Sequence, residues 1–132
     1  MGYLIDTSIL IEIENNNHRI IEEIEKLRHS AETNLFISIF NFCEIYYGAI
    51  NKNEKNKSKT VERLNEYDLL NTTQKTGKIF CELLCELKKA GKLIPYFDLF
   101  IAAIAVENNL TLITEDNHFR NISRLHQVIL TI

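Results

Sequence analysis

The run Leu4-Ile5-Asp6-Thr7-Ser8-Ile9-Leu10-Ile11 sets one carboxylate and two hydroxyls inside an apolar stretch. Burying such a charge is costly unless a cation, hydrogen-bond donors or water meet it. Two readings follow. In one, a strand turns into a helix and Asp6 or Ser8 caps it. In the other, a carboxylate is held at a strand end to bind a cation. Three further places carry acids in apolar surroundings. Glu44 lies among Phe42, Cys43, Ile45 and Tyr46; Asp98 stands just before the apolar stretch Phe100 to Val106; Glu115 and Asp116 directly follow Leu110 to Thr114. Singly, Asp98 reads as a helix cap and Asp116 as part of an Asx turn, whereas Glu44 has no such ordinary account. Gathered together, they would raise one another's pKa unless a cation neutralised them. An all-oxygen donor set suits Mg²⁺ or Mn²⁺.

The elements that must position these acids follow from periodicity. Tyr3 to Ile5, Leu35 to Ile37, Leu110 to Thr114 and Val128 to Ile132 read as short buried strands. Helical spacing predicts helices over His18 to Ala31, after Ser38 (with Phe42, Ile45, Tyr46 and Ala49 on one stripe), around Val61, Leu64 and Tyr67, and from Ile79 to Leu87. Gly91 is the natural C-cap of the last of these. Phe100 to Val106 predicts a buried helix, and the Lys- and Asn-rich span 51–59 a solvated loop or helix end. Strands separated by helices imply βαβ units and an α/β fold with a mostly parallel central sheet. Ligand sites in such sheets lie beyond the carboxyl ends of the strands. Asp6, Asp98 and Asp116 are expected at that edge. Glu44, about 9 Å along its helix from Ser38, joins them only if the helix crosses nearby.

Length and composition narrow the function classes. With 132 residues, 45% hydrophobic and 25% charged, the chain reads as a single globular domain over residues 1–132. Its formal net charge of -3 exerts no general pull on nucleic acid, leaving that to local cations. The N-terminus lacks the basic region of a signal peptide, and no apolar run spans a membrane, so the expected location is cytoplasmic. Cys43, Cys81 and Cys85 form no CxxC pair and are expected to be buried free thiols. Thr76-Gly77-Lys78 lacks the first glycine of a phosphate loop; the four histidines form no HExxH pattern.

The acid-bearing blocks resemble those of the PIN-domain ribonucleases, and in particular the VapC-type toxins of toxin–antitoxin pairs. The blocks are Leu4 to Ile11, Ile37-Ser38 through Glu44 to Ala49, Ile94 through Asp98 to Ala105, and Leu112 through Asp116 to Phe119. They occur in the family's order and span nearly the whole chain. The resemblance implies a single PIN-like domain and Mg²⁺- or Mn²⁺-dependent cleavage of RNA. It implies Asp6, Glu44, Asp98 and Asp116 as metal-binding catalytic acids, with Glu115 the alternative to Asp116. Thr7, Ser8, Glu115 and Asn117 would support the ligands. A homodimer and a small antitoxin partner are implied as well. Tyr46 and Tyr47 are the expected self-association surface.

Phosphodiester hydrolysis needs an activated water and relief of developing negative charge, both of which divalent ions supply. RNA contacts are expected from Arg120 and Arg124, with Lys52, Lys55, Lys57 and Lys59 reading as a solvated surface. Rival readings are a non-catalytic PIN-like binding module, a housekeeping RNA-processing nuclease and a phosphatase. The last would want a second Asp two residues after Asp6, where Ser8 stands.

Overall fold

Alternation decides which way each strand residue points. In β1 (Gly2–Ile5) Leu4 packs on one face of the sheet and Ile5 on the other; in β4 (Thr111–Thr114) Leu112 and Ile113 do the same. Both faces are covered, which is why these strands read as unbroken apolar runs. The structure is a computed structural model that describes residues 2–30 and 32–131. Among the described residues, the chain runs β1, α1 (Thr7–Glu14), α2 (His18–Arg28), β2 (Asn34–Ser38), α3 (Ile39–Ala49) and α4 (Glu54–Leu64). It continues through β3 (Asp68–Leu70), α5 (Gln74–Ala90), α6 (Tyr96–Glu107), β4, a short 3-10 helix (Asn117–Asn121) and β5 (Gln127–Ile129).

All neighbouring strands are parallel, in the order β3-β2-β1-β4-β5. From β1 the chain moves outward to β2 and β3, then returns to lay β4 and β5 on the other side. The connection reverses between β1 and β4, the place where such sheets open a ligand crevice. Gly2 lets the start of β1 lie close against the side chains of Leu110 and Phe36. A Cβ there would meet Leu110 Cδ2 at 2.4 Å and Phe36 Cε2 at 3.2 Å.

One core joins α5 and α6 to the sheet through Leu83, Leu87, Leu99, Ile104, Leu4 and Leu112. The other joins α1, α2 and α3 through Ile9, Ile20, Ile24, Ile37, Ile45 and Ile113. Helix α6 is buried nearly all round, from Leu99 through Ala105 apart from Phe100, so it lacks the polar face of a surface helix. Its alanines allow close approach to the sheet and to α5. Helix α5 starts in a Thr73–Thr76 capping box and ends at Gly91, whose φ of 68° is the left-handed conformation glycine favours.

Several expectations change. The Lys-rich span is the first part of α4, capped by Asn53, whose side chain accepts from Asn56 N–H. Tyr67 falls outside that helix and packs under the Arg28 guanidinium, 5.0 Å from ring centre to Cζ. The edge strand β3, three residues long, was too short to show a period. β5 spans Gln127–Ile129, with Ile132 outside the described residues; α2 ends at Arg28, and Ala31 likewise lies outside them. Cys43, Cys81 and Cys85 are all exposed rather than buried. The apolar stripe of α5 is carried by Ile79, Phe80, Leu83 and Leu87, and the two thiols there fall on the solvent side.

Candidate active site

Asp6 follows β1 and occupies the N-cap position of α1, yet its side chain makes no capping bond. It is only 1% exposed. Its Oδ2 accepts from Thr114 Oγ1 at 2.6 Å and Ser8 Oγ at 2.9 Å, while Oδ1 is buried with no partner. Burial pushes its carboxyl pKa up, the two hydroxyls pull it down, and the Asp116 charge raises it again. The backbone fixes the register: Asp6 N–H donates to Ile113 C=O at 2.9 Å, extending the β1–β4 ladder. Glu115 N–H donates to Ser8 Oγ at 3.1 Å, and Asp116 N–H to Thr114 Oγ1 at 3.0 Å. The hydroxyls of Ser8 and Thr114 thus stitch the ends of two adjacent strands around one carboxylate.

Glu44 reaches this edge from α3. Thr7 Oγ1 donates to Glu44 Oε1 at 2.7 Å and accepts from Asn41 Nδ2 at 3.0 Å. Asn41 is fully buried and set by the α3 capping box, its Oδ1 taking both Ser38 N–H at 2.8 Å and Ser38 Oγ–H at 2.7 Å. Desolvation raises the Glu44 pKa, the Thr7 bond lowers it, and the Asp6 and Asp116 charges raise it.

Asp98 lies inside the first turn of α6, not ahead of the helix as expected. Burial, together with the Asp6, Glu44 and Asp116 charges, pushes its carboxyl up to about 6 against the opposing pull of His118. His118 Nε2 is 3.2 Å from Asp98 Oδ2, close enough for an ion pair but without hydrogen-bond alignment. Asp116 acts on Asp6, Glu44 and Asp98 alike. Glu115 sits on the flank: burial raises its pKa first, and Glu12 is its foremost charged neighbour. Among the described residues, no three carboxylate, imidazole or thiolate groups yet converge at ligand distance around one point.

The four acids expected from the sequence are therefore mutual electrostatic neighbours at the sheet's carboxyl edge. Thr7 and Ser8 take different charges, Glu44 and Asp6 respectively. Asn117 is exposed at the start of the 3-10 helix. Arg124 Nη1 is held by Glu82 of α5 at 2.9 Å, and exposed Arg120 lines a shallow depression with Gln127 and Ile129. Sequence reasoning missed Asn41 and Thr114. The Ser38-x-x-Asn41 spacing was the available signal for the first, because it fits a capping box. Thr114 read simply as a strand residue.

A buried carboxylate oxygen without a partner and three like charges around it make a fitting receptor for a hard divalent cation. The parallel sheet, its switch point and this acidic edge define an α/β domain with a carboxylate-lined edge at its strand ends. The PIN domain sequence profile matches residues 3–125, so the chain belongs to the PIN domain family. It is similar to Ribonuclease VapC2 of Haemophilus influenzae, 30% identical over 127 residues, covering 95% of this chain and 92% of that protein. It is also similar to Ribonuclease VapC2 of Rickettsia felis, 29% identical over 133 residues, covering 98% and 96%. Among solved structures, VapBC2 from Rickettsia felis, bound to a DNA fragment from its promoter, superposes with a TM-score of 0.90. That match is 27% identical and covers 99% of this chain and 100% of the other.

Proposed function

We propose that this chain is an endoribonuclease of the VapC type, the toxin of a type II toxin–antitoxin pair, cleaving RNA phosphodiester bonds with Mg²⁺ or Mn²⁺. The observation that carries it is Asp6: buried, with one oxygen unpartnered, at the β1–β4 switch point beside Asp98, Glu44 and Asp116. The ribonuclease names of its relatives support RNA as the substrate. A helix-capping role for Asp6, one of the two that the binding-module reading allows beside holding a structural ion, finds no support in its bonding.

Asp6, Glu44, Asp98 and Asp116 are the residues that would hold the ion. When bound, the ion supplies Lewis acidity that makes hydroxide available near neutral pH and offsets charge building on a phosphate. The chain's own contribution is positional. Ser8 and Thr114 hold Asp6 Oδ2 and leave Oδ1 without a partner. Asn41 and Thr7 hold Glu44 in the same way. Glu115 flanks the site, and Asn117 and Arg120 lie at its rim.

The regulatory partner is a small antitoxin. An inserted Arg would satisfy the carboxylates bidentately and take the cation's place. The working form is a homodimer. The test is cleavage of labelled RNA by the purified chain. Activity should appear with Mg²⁺ or Mn²⁺, vanish in EDTA, and fall at least about a hundredfold in Asp6→Asn while the fold persists. Full activity in EDTA or in that variant would overturn the proposal. Expression should arrest growth, and co-expression with the neighbouring small reading frame should relieve it.

A further inference from the structure

Helix α3 carries a second functional row beside Glu44, and Gly48 is its anomaly. Glycine disfavours a helix, and Gly48 is the penultimate residue of α3. It does not have the positive φ that would call for glycine. Nor does packing require it, since an added Cβ would meet nothing within 4 Å. Neither conformation nor the chain's own packing accounts for it, which leaves close approach by something outside the chain.

The neighbours indicate what approaches. Positions three, four and eight residues apart share a helix face. Glu44, Tyr47, Gly48 and, in the turn just after the helix, Lys52 therefore lie in one row, about 12 Å from end to end. Tyr47 is 79% exposed, the most open of the large hydrophobic side chains. Tyr46 differs: it is half-buried and stacked on Phe42 at 5.7 Å. A cleft of about 190 Å³ lies beside this row, lined by Glu44, Ile45, Gly48 and Lys52 from one side and Ile11 and Glu14 from the other, with Tyr47 outside its lining. Lys52 is the second and more distant cation on Glu14. Glu14 is already gripped at both oxygens by Arg63, at 2.6 and 2.7 Å, and Lys52 stands 3.8 Å from it.

We propose that this row is the track for single-stranded RNA leading away from the catalytic acids. A base stacks on Tyr47, the backbone passes over the open floor at Gly48, and a phosphate is met by Lys52. An open aromatic and a nearby cation are the two kinds of group that sequence-tolerant single-strand binding combines. The inference rests on the nuclease reading above and names where that reading's substrate lies.

The experiment is cleavage and binding of short fluorescent single-stranded RNAs by the full chain with Mn²⁺. Tyr47→Ala should raise KM roughly tenfold with little change in kcat, and Tyr47→Phe should restore it. Lys52→Ala should lower the slope of log affinity against log salt by about 0.7, and Lys52→Arg should not. Gly48→Leu should melt at or above the wild-type temperature and still lose binding, which separates a blocked track from a damaged fold. A wild type that cleaves RNA while all three variants keep its KM and salt slope would overturn the track and leave the nuclease reading standing. Tyr47→Ala that dissociates a dimer with KM unchanged would overturn it too, assigning Tyr47 to contact between copies. Loss of affinity for the antitoxin alone, with RNA kinetics unchanged, would equally overturn it. A wild type that cleaves no RNA refutes the parent proposal instead.

Discussion

Replacing Asp98 by Asn tests the electrostatics of the acidic edge without changing its shape. In the folded chain the Asp98 carboxyl sits near 6 instead of 3.8, chiefly through burial and then through the Asp6 charge. A raised folded pKa means the folded state holds its proton longer than the unfolded state does. Stability is therefore lost as pH rises from about 4 to about 6, and the cost is complete above that window. Two pKa units correspond to about 3 kcal/mol. Because the carboxyl is partly open to screening water, about 1 kcal/mol is the realistic share. Asp98→Asn should then be more stable than wild type by about 1 kcal/mol at pH 7.5 in EDTA, about 3 °C in Tm. The gap should largely close by pH 4, where Asp98 is protonated in the folded state and near half-titration in the unfolded one. Thermal melts from pH 4 to 7.5 read this directly. Adding Mn²⁺ should reverse the order, stabilising the wild type and leaving the variant nearly unmoved. A variant that is no more stable at pH 7.5 than at pH 4, relative to wild type, would refute the reasoning.

Asn41→Ala removes the group that holds Thr7 and strands the buried Ser38 donors; it should cost about 1–3 kcal/mol in denaturant melts. Mn²⁺ affinity should also fall about tenfold or more by titration calorimetry, as it does when supporting hydrogen bonds to ligands are cut. Thr114→Val leaves Asp6 Oδ2 with Ser8 alone, and its Mn²⁺ affinity should fall similarly, with no recovery at high salt. A colorimetric thiol reagent should titrate Cys43, Cys81 and Cys85 in the native protein without denaturant, since all three are exposed.

The helices and strands around the acids were legible because their apolar periods are long or uninterrupted: β1, β4, α5 and α6 follow directly from Leu4-Ile5, Leu112-Ile113, the Ile79 to Leu87 stripe and the Ala-rich run. The acids were legible because a charge in such company needs a reason. The hidden parts are those whose meaning is set by partners far away in sequence. Asn41 looks like any polar residue at a helix start until Thr7 is brought to it. The cysteines of α5 were misread because the apolar stripe and a thiol-bearing face adjoin, and composition alone does not phase a helix. The α4 lysines were left between solvated loop and helix end because helix propensity without an apolar stripe carries little signal over so few residues.

The hydrogen bond from Thr114 to Asp6 spans 108 residues of chain. Closing so long a loop is entropically costly, and parallel pairings between distant strands form slowly. The crevice therefore belongs to no fragment of the molecule. A polypeptide caught before β4 docks has Asp6 on one strand, Glu44 on a helix and the remaining acids elsewhere, with nothing to bring them together. Protease cleavage in the long stretch between Ser8 and Thr114 would likewise separate the halves unless they re-associate. Competence to act on RNA is in this sense a readout of completed topology, and a misfolded copy is disarmed by the same geometry that arms the native one.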